Sequence, residues 1–228
     1  MVEIVPAILP KSFADLESKL ALMREVAPFV QIDVVDGVFA PNKTWPYVGG
    51  EMFSSILSGE VGLPFWEDFD FEFDCMIAHP QKTIEQYIEA GASRLVVHGA
   101  GNGILELLEY LQPNRQGDLG IEIGLALLPN DEAETFAQYA LLCDFVQVMG
   151  IAKVGFQGQE PDARALDLIT SLRAQNQALT IQVDGGVTLK NARALAHAGA
   201  QRLIVGSAIF ANPEPALAYK ALVREANK

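Results

Sequence analysis

Eight short apolar segments alternate with helix-patterned segments, which predicts an α/β protein with a parallel sheet closed as a (β/α)8 barrel. Three observations carry this reading. The 228 residues are enough for eight such units, and half of them are hydrophobic. The apolar segments read as apolar on both faces, as strands covered by helices require. One unit is also written twice, as EAGASRLVV at 89–97 and HAGAQRLIV at 197–205. In both, a helix ends on Ala-Gly-Ala, an Arg follows and an apolar strand begins. Gly supplies the left-handed cap, and Ala lets the helix lie close to the sheet. Residues 1–228 are read as a single domain, because one barrel of this length buries a full core.

The first strand spans 4–9 and stops at Pro10. Ser12 caps a helix with Phe13, Leu16, Leu20 and Met23 on one face. Pro28 leads into the second strand. A long loop occupies 38–50, and a short helix follows at 51–58. Residues 59–70, rich in Gly, Pro and acidic side chains, read as an insertion. The third strand covers 71–77. Pro80 opens a helix that turns Ile84, Tyr87 and Ile88 inward and closes at Gly91. The remaining strands are 94–98, 121–127, 145–149, 179–183 and 202–205. The helices between and after them are 104–111, 131–141, 162–173, 189–198 and 215–225.

With 16 basic and 29 acidic side chains, the formal charge is −13. That argues against a nucleic-acid partner, which needs a basic surface. A small anion can still be held by backbone N–H groups. No apolar run reaches membrane-spanning length, so no membrane partner is expected. MVEIVPAILP lacks a basic region followed by a signal-type apolar segment, and a cytoplasmic location is expected. Cys75 and Cys143 match no zinc or redox spacing and read as buried thiols. Loop 38–50, with Phe39, Trp45 and Tyr47, reads as exposed and able to pack on a second subunit, so a homo-oligomer is expected.

Chemistry in such a barrel belongs at the C-terminal ends of the strands. Asp33 in QIDVVDG, Asp74 and Asp184 all fall there. A lone Asp at a strand end caps a turn. Three at one level repel one another unless protons or a metal hold them together. Two glycine sites follow on adjacent strands, Gly185-Gly186 and Gly206-Ser207, and suit a phosphate held by backbone N–H groups. Gly158, in GFQGQ after the sixth strand, either closes over that phosphate or belongs to a plain flexible loop.

The segments PAILPKSFADL, QIDVVDGVFAPN, DCMIAHP with EAGASRLVVHG, MGIAKVGFQGQ, QVDGGVTLKN and VGSAIF occur in this order. Together they resemble the ribulose-phosphate 3-epimerase family, a phosphate-binding TIM barrel, over nearly the whole chain. The resemblance implies an isomerase of pentose phosphate metabolism. It would move a proton at C3 of a ketose phosphate, of the ribulose 5-phosphate/xylulose 5-phosphate type. Asp33 and Asp184 would be its acid and base, and Met76, His98 and Met149 would line the sugar. The C2 carbonyl acidifies the C3 proton. One carboxylate removes it to give an enediolate, and the other returns a proton to the opposite face. The donor must stay protonated above the ordinary carboxylate pKa of about 4. The enediolate needs a positive charge, which in the family a divalent metal supplies.

The chain departs from the family at that metal. The family uses two His and two Asp. Here Gln31 and Asp74 stand at the His positions, and Asp33 and Asp184 match the rest. Gln31, Asp33, Asp74 and Asp184 form an all-oxygen set that suits magnesium or manganese over zinc. A hard metal is expected, or none, and no organic cofactor. His79 and His197 read as bystanders. Ala7 and Pro10 replace two Ser, and Ala152-Lys153-Val154-Gly155 replaces an Asn-Pro-Gly turn with one extra residue. Two other readings stay open: a barrel that binds a phosphorylated ligand without turnover, and a lyase forming a Schiff base through Lys153.

Overall fold

The computed structural model describes residues 1–101, 103–116 and 120–228. Among them, eight parallel strands close in chain order: β1 (Glu3–Ile8), β2 (Phe29–Val35), β3 (Asp70–Met76), β4 (Ala92–His98), β5 (Glu122–Leu127), β6 (Phe145–Met149), β7 (Thr180–Asp184) and β8 (Arg202–Val205). The outer layer comprises α1 (Phe13–Ala21), α2 (Glu51–Leu57), α3 (Ile84–Glu89), α4 (Ile104–Tyr110), α5 (Gln112–Gln116), α6 (Ala133–Ala137), α7 (Arg164–Gln175), α8 (Ala192–Ala198), α9 (Ser207–Phe210) and α10 (Pro215–Ala226). Ser12 caps α1 by accepting from Asp15 N at 3.1 Å. Among the described residues, no helix is long and apolar enough to cross a membrane.

Successive strand side chains point to opposite faces. Val30, Ile32, Val34, Phe71, Phe73, Cys75, Ile181 and Val183 therefore pack outward, in one core with Leu16, Leu20, Ile169 and Leu172 from the helices. The alternate set faces the barrel axis, and here the structure corrects the expectation of strands apolar on both faces. Gln31, Glu72, Gln147 and Gln182 are fully buried along the axis. Each sits between two apolar neighbours that cover the outer face, so the segment looks apolar while its inner side is not.

Three further expectations change. Trp45 is completely buried, against Phe13 and Phe53 at 5.7 and 5.2 Å between ring centres. It closes the core over α1 and α2 and is not available to a second subunit; Val38 and Val48 are the loop's exposed aliphatics. Residues 59–70 are not an appendage, because Leu63 and Phe69 are buried in the main core. The helix predicted at 131–141 is only α6. Beyond it Tyr139 N bonds Phe136 O and Leu142 N bonds Tyr139 O, three residues back, and this tighter winding ends the helix. Likewise the segment after Pro80 begins with a 3₁₀ turn, Pro80–Lys82, before α3 starts.

Charged side chains close the N-terminal end of the barrel. Arg94 meets Glu3 at 3.3 Å, Glu122 at 3.6 Å and Glu72 at 3.8 Å, and Arg202 meets Glu122 at 2.7 Å and Glu3 at 3.4 Å. Arg94 also lies over the Phe29 ring, 3.7 Å from its centre. Burial pushes the Glu72 carboxyl up to about 7 although Arg94, Gln182 and Arg202 all favour its charge. Removing one partner of such a cluster leaves buried charge uncompensated. Arg94→Ala should therefore cost about 3 kcal/mol in urea unfolding. Arg164→Ala, in an exposed pair with Asp162, should leave the unfolding midpoint unchanged within error.

Candidate active site

Strand register builds the site. Asp33 on β2 pairs with Asp74 on β3, and Asp184 on β7 pairs with Met149 on β6. All three carboxyl groups point into the C-terminal end of the barrel, and one oxygen from each lies within 4.8 Å of the others. The end of β2 is tied down by Thr44. Its Oγ1 accepts from Val35 N and donates to Asp33 O, both at 2.9 Å. Asp36, the second carboxylate of QIDVVDG, is used for structure. It accepts from Val38 N and Phe39 N at 2.7 Å and from Ala78 N at 2.8 Å, stitching the β2 loop to the end of β3.

Amide and imidazole groups surround the carboxyls. Gln31 Nε2 donates to Asp33 Oδ1 at 2.7 Å and to Asp184 Oδ2 at 3.0 Å. Gln147 Nε2 lies 3.3 Å from Asp74 Oδ2 and 3.4 Å from Asp184 Oδ2. His98 Nε2 is 2.7 Å from Asp74 Oδ1, and its ring packs on Phe39 at 5.0 Å. A polar column continues downward. Gln182 Nε2 donates to Gln147 Oε1 at 2.7 Å and to Glu72 Oε1 at 2.6 Å.

Burial dominates the titration of this group. The Asp33 carboxyl is pushed up to about 8, first by burial and then by the charge of Asp74, against hydrogen bonds from Gln31 and Gln157. Asp184 is raised well above the ordinary range by burial, then by Asp33 and Asp74. Asp33 and Asp184 therefore retain protons, or the cluster takes up a cation. The donor set fits a hard divalent cation. Every candidate ligand is oxygen, and Gln31 Oε1 is buried with no hydrogen-bond partner among the described residues. Turning the Gln31 amide over would bring that oxygen to the carboxyl cluster.

Above the carboxyls lies a small cup of about 40 Å³. Asp33 and Asp184 form its floor, with Met76 and Met149 on the walls. Gly158, Gly185, Gly186, Gly206 and Ser207 line the rim. Gly185 and Gly186 both have positive φ, +95° and +66°. A side chain at Gly186 would also press on Pro161 Cα at 2.9 Å. Only glycine holds this turn without strain, and neither residue's N–H is used in another hydrogen bond among the described residues.

Gln31, Asp74 and His98 do not line the cup. His98 is buried against Asp74. Lys153 is exposed and borders an outer groove with Gln159 and Asp162, away from Asp33 and Asp184. This geometry sets aside the Schiff-base reading. His79 and His197 lie outside the cup. Sequence reasoning missed Gln147, Gln182 and Thr44, and named Gln157 only as part of the loop 155–159. Gln147 and Gln182 had a signal, a single polar residue in FVQVM and in TIQVD. Thr44 had none, since its contacts come from another segment.

Comparison with known proteins adds the remaining observation. The model of the ribulose-phosphate 3 epimerase family matches residues 3–210. Ribulose-phosphate 3-epimerase of Chlamydia muridarum is 30% identical over 215 residues, covering 91% of this chain and 87% of its own. That of Schizosaccharomyces pombe is 30% identical over 217 residues, covering 93% and 89%. Among solved structures, 3-hexulose-6-phosphate synthase from Salmonella typhimurium superposes with a TM-score of 0.71 at 14% identity, over 99% of both chains, a likeness of fold. With the family model spanning the barrel from β1 to α9 and relatives at this identity along nearly its full length, the chain belongs to the ribulose-phosphate 3-epimerase family and is an isomerase.

Proposed function

We propose that this chain interconverts the C3 epimers of a ketose 5-phosphate, of the ribulose 5-phosphate/xylulose 5-phosphate type, with Asp33 and Asp184 as the proton-transferring pair. One observation carries the reading. Carboxyl groups from β2 and β7 share the amide nitrogen of Gln31, at 2.7 and 3.0 Å, on the floor of a cup with a glycine rim. A phosphorylated sugar seated with its phosphate at Gly185-Gly186 and Gly206-Ser207 would lay its C2–C3 bond over the two carboxyls.

The chemistry follows from burial. An Asp held up to about 8 carries a proton at neutral pH and can donate it. Asp184, in the ionised form that the Gln31 amide favours, abstracts the C3 proton, which the C2 carbonyl has acidified. The reverse reaction exchanges the two roles, so both groups must be able to hold and release a proton. Gln31 donates to whichever carboxyl is charged, and Gln147 supports Asp184 and Asp74. His98 orients Asp74 in the same way. The methionine walls exclude water from the enediolate. Gln31, Asp33, Asp74 and Asp184 would hold a divalent metal, magnesium or manganese, which when bound supplies positive charge for the developing enediolate oxygen.

Two outcomes are expected. Asp33→Asn and Asp184→Asn should each lower exchange of the substrate C3 hydrogen with deuterated water by about 10²–10⁴-fold. Inorganic phosphate should bind them as it binds the parent, by calorimetry. Retained exchange in either variant would remove that Asp from the proposed pair. Chelator treatment should abolish exchange, and manganese or magnesium should restore it better than zinc. The double change Gln31→His with Asp74→His should reverse that preference, read by metal analysis of the dialysed protein, because imidazole ligands favour zinc.

A further inference from the structure

Gln157 stands in the β6–α7 loop, at the rim of the cup, and its side chain turns inward. Its Nε2 donates to Ala7 O at 3.1 Å, and the carboxamide also reaches Asp33. It packs so closely on Gly206 that a Cβ added there would collide with Gln157 Nε2. The carboxamide therefore occupies the space between Gly206 and Asp33, two of the places a sugar phosphate would use. What remains of the cup, about 40 Å³, has room for roughly three water molecules.

The loop backbone is anchored apart from this side chain. Asn42 Nδ2 donates to Gly155 O at 2.8 Å, and Gln159 Nε2 donates to Phe156 O at 2.9 Å. Neither anchor involves Gln157, whose own side chain is held by its bond to Ala7. Rotation about its side-chain torsions would clear the space with the loop in place.

We propose that Gln157 is an internal competitor for the ligand's phosphate end: its carboxamide fills the cup beside Gly206 and has to leave before a sugar phosphate can enter. This rests on the reading of Gly185-Gly186 and Gly206-Ser207 as the phosphate cradle. Entry then costs the bond to Ala7, and affinity is lower than the cradle alone would give. Asn, one methylene shorter, cannot reach Ala7 O from the same backbone position. Asn and Ala should therefore act alike, which a general loss of side-chain packing would not produce.

The test is titration of the parent chain, Gln157→Ala and Gln157→Asn with inorganic phosphate by calorimetry, with thermal unfolding as the check on folding. Gln157 is exposed at the rim, so the unfolding midpoints should agree. Both variants should bind phosphate about five- to tenfold more tightly than the parent, the worth of one released hydrogen bond. Equal or weaker binding by the variants, with phosphate still binding the parent, would overturn the competitor role and leave the cradle standing. No binding to any of the three chains would overturn the cradle itself, and the competitor role with it.

Discussion

Three carboxyl groups inside one barrel end need something between them, and the Gln31 amide is what the chain provides. Its nitrogen lies within hydrogen-bond distance of both Asp33 and Asp184. Asp33 and Asp184 are 151 positions apart in sequence, and they meet only because the sheet closes on itself. Gln147 and His98 extend the same function to Asp74. Without these donors the cluster would combine the cost of burial with mutual repulsion. Much of the surrounding structure serves this point. Thr44 fixes the end of β2, Asp36 holds the β2 loop to β3, and the glycine turn after β7 leaves the cup open above.

The same logic runs down the barrel axis. A barrel of this kind is filled by layers of inward side chains, usually branched aliphatics. Here much of the filling is polar: Gln147, Gln182 and Glu72 link the carboxyl cluster to the charged plug of Arg94, Arg202, Glu3 and Glu122. Buried polar networks are stable only when their members find partners. The Phe29 and Phe145 rings under the two guanidinium groups supply part of that satisfaction without hydrogen bonds.

The resemblance and the geometry agree on the family and differ in the details of the site. Glutamine and aspartate at positions where the resemblance implies histidines make the proposed ligand set oxygen alone. That set can be satisfied in two ways, by protons and amide donors or by a hard cation, and the orphaned Gln31 Oε1 is the group whose orientation separates them. On the proposed reading of the glycine rim as a phosphate cradle, Gln157 puts a side chain beside Gly206 that has to withdraw before the ligand enters.

Most of the architecture could be read along the chain. The alternation of apolar strands with capped helices, the repeated Ala-Gly-Ala unit and the strand-end aspartates need only local pattern, because a parallel strand in such a barrel ends where its helix connection begins. The outer faces were legible for the same reason, since Val, Ile and Phe at every second position must be covered. What lines the axis was not. Gln147 in FVQVM or Gln182 in TIQVD looks like an isolated polar residue in an apolar run, and only barrel closure brings the two within 2.7 Å of each other. The burial of Trp45, the contact of His98 with Asp74 and the insertion of Gln157 toward Ala7 were likewise decided by tertiary packing. Each depends on a partner 8 to 150 residues away, and hydrogen bonds and ring contacts of that range leave no trace in local spacing.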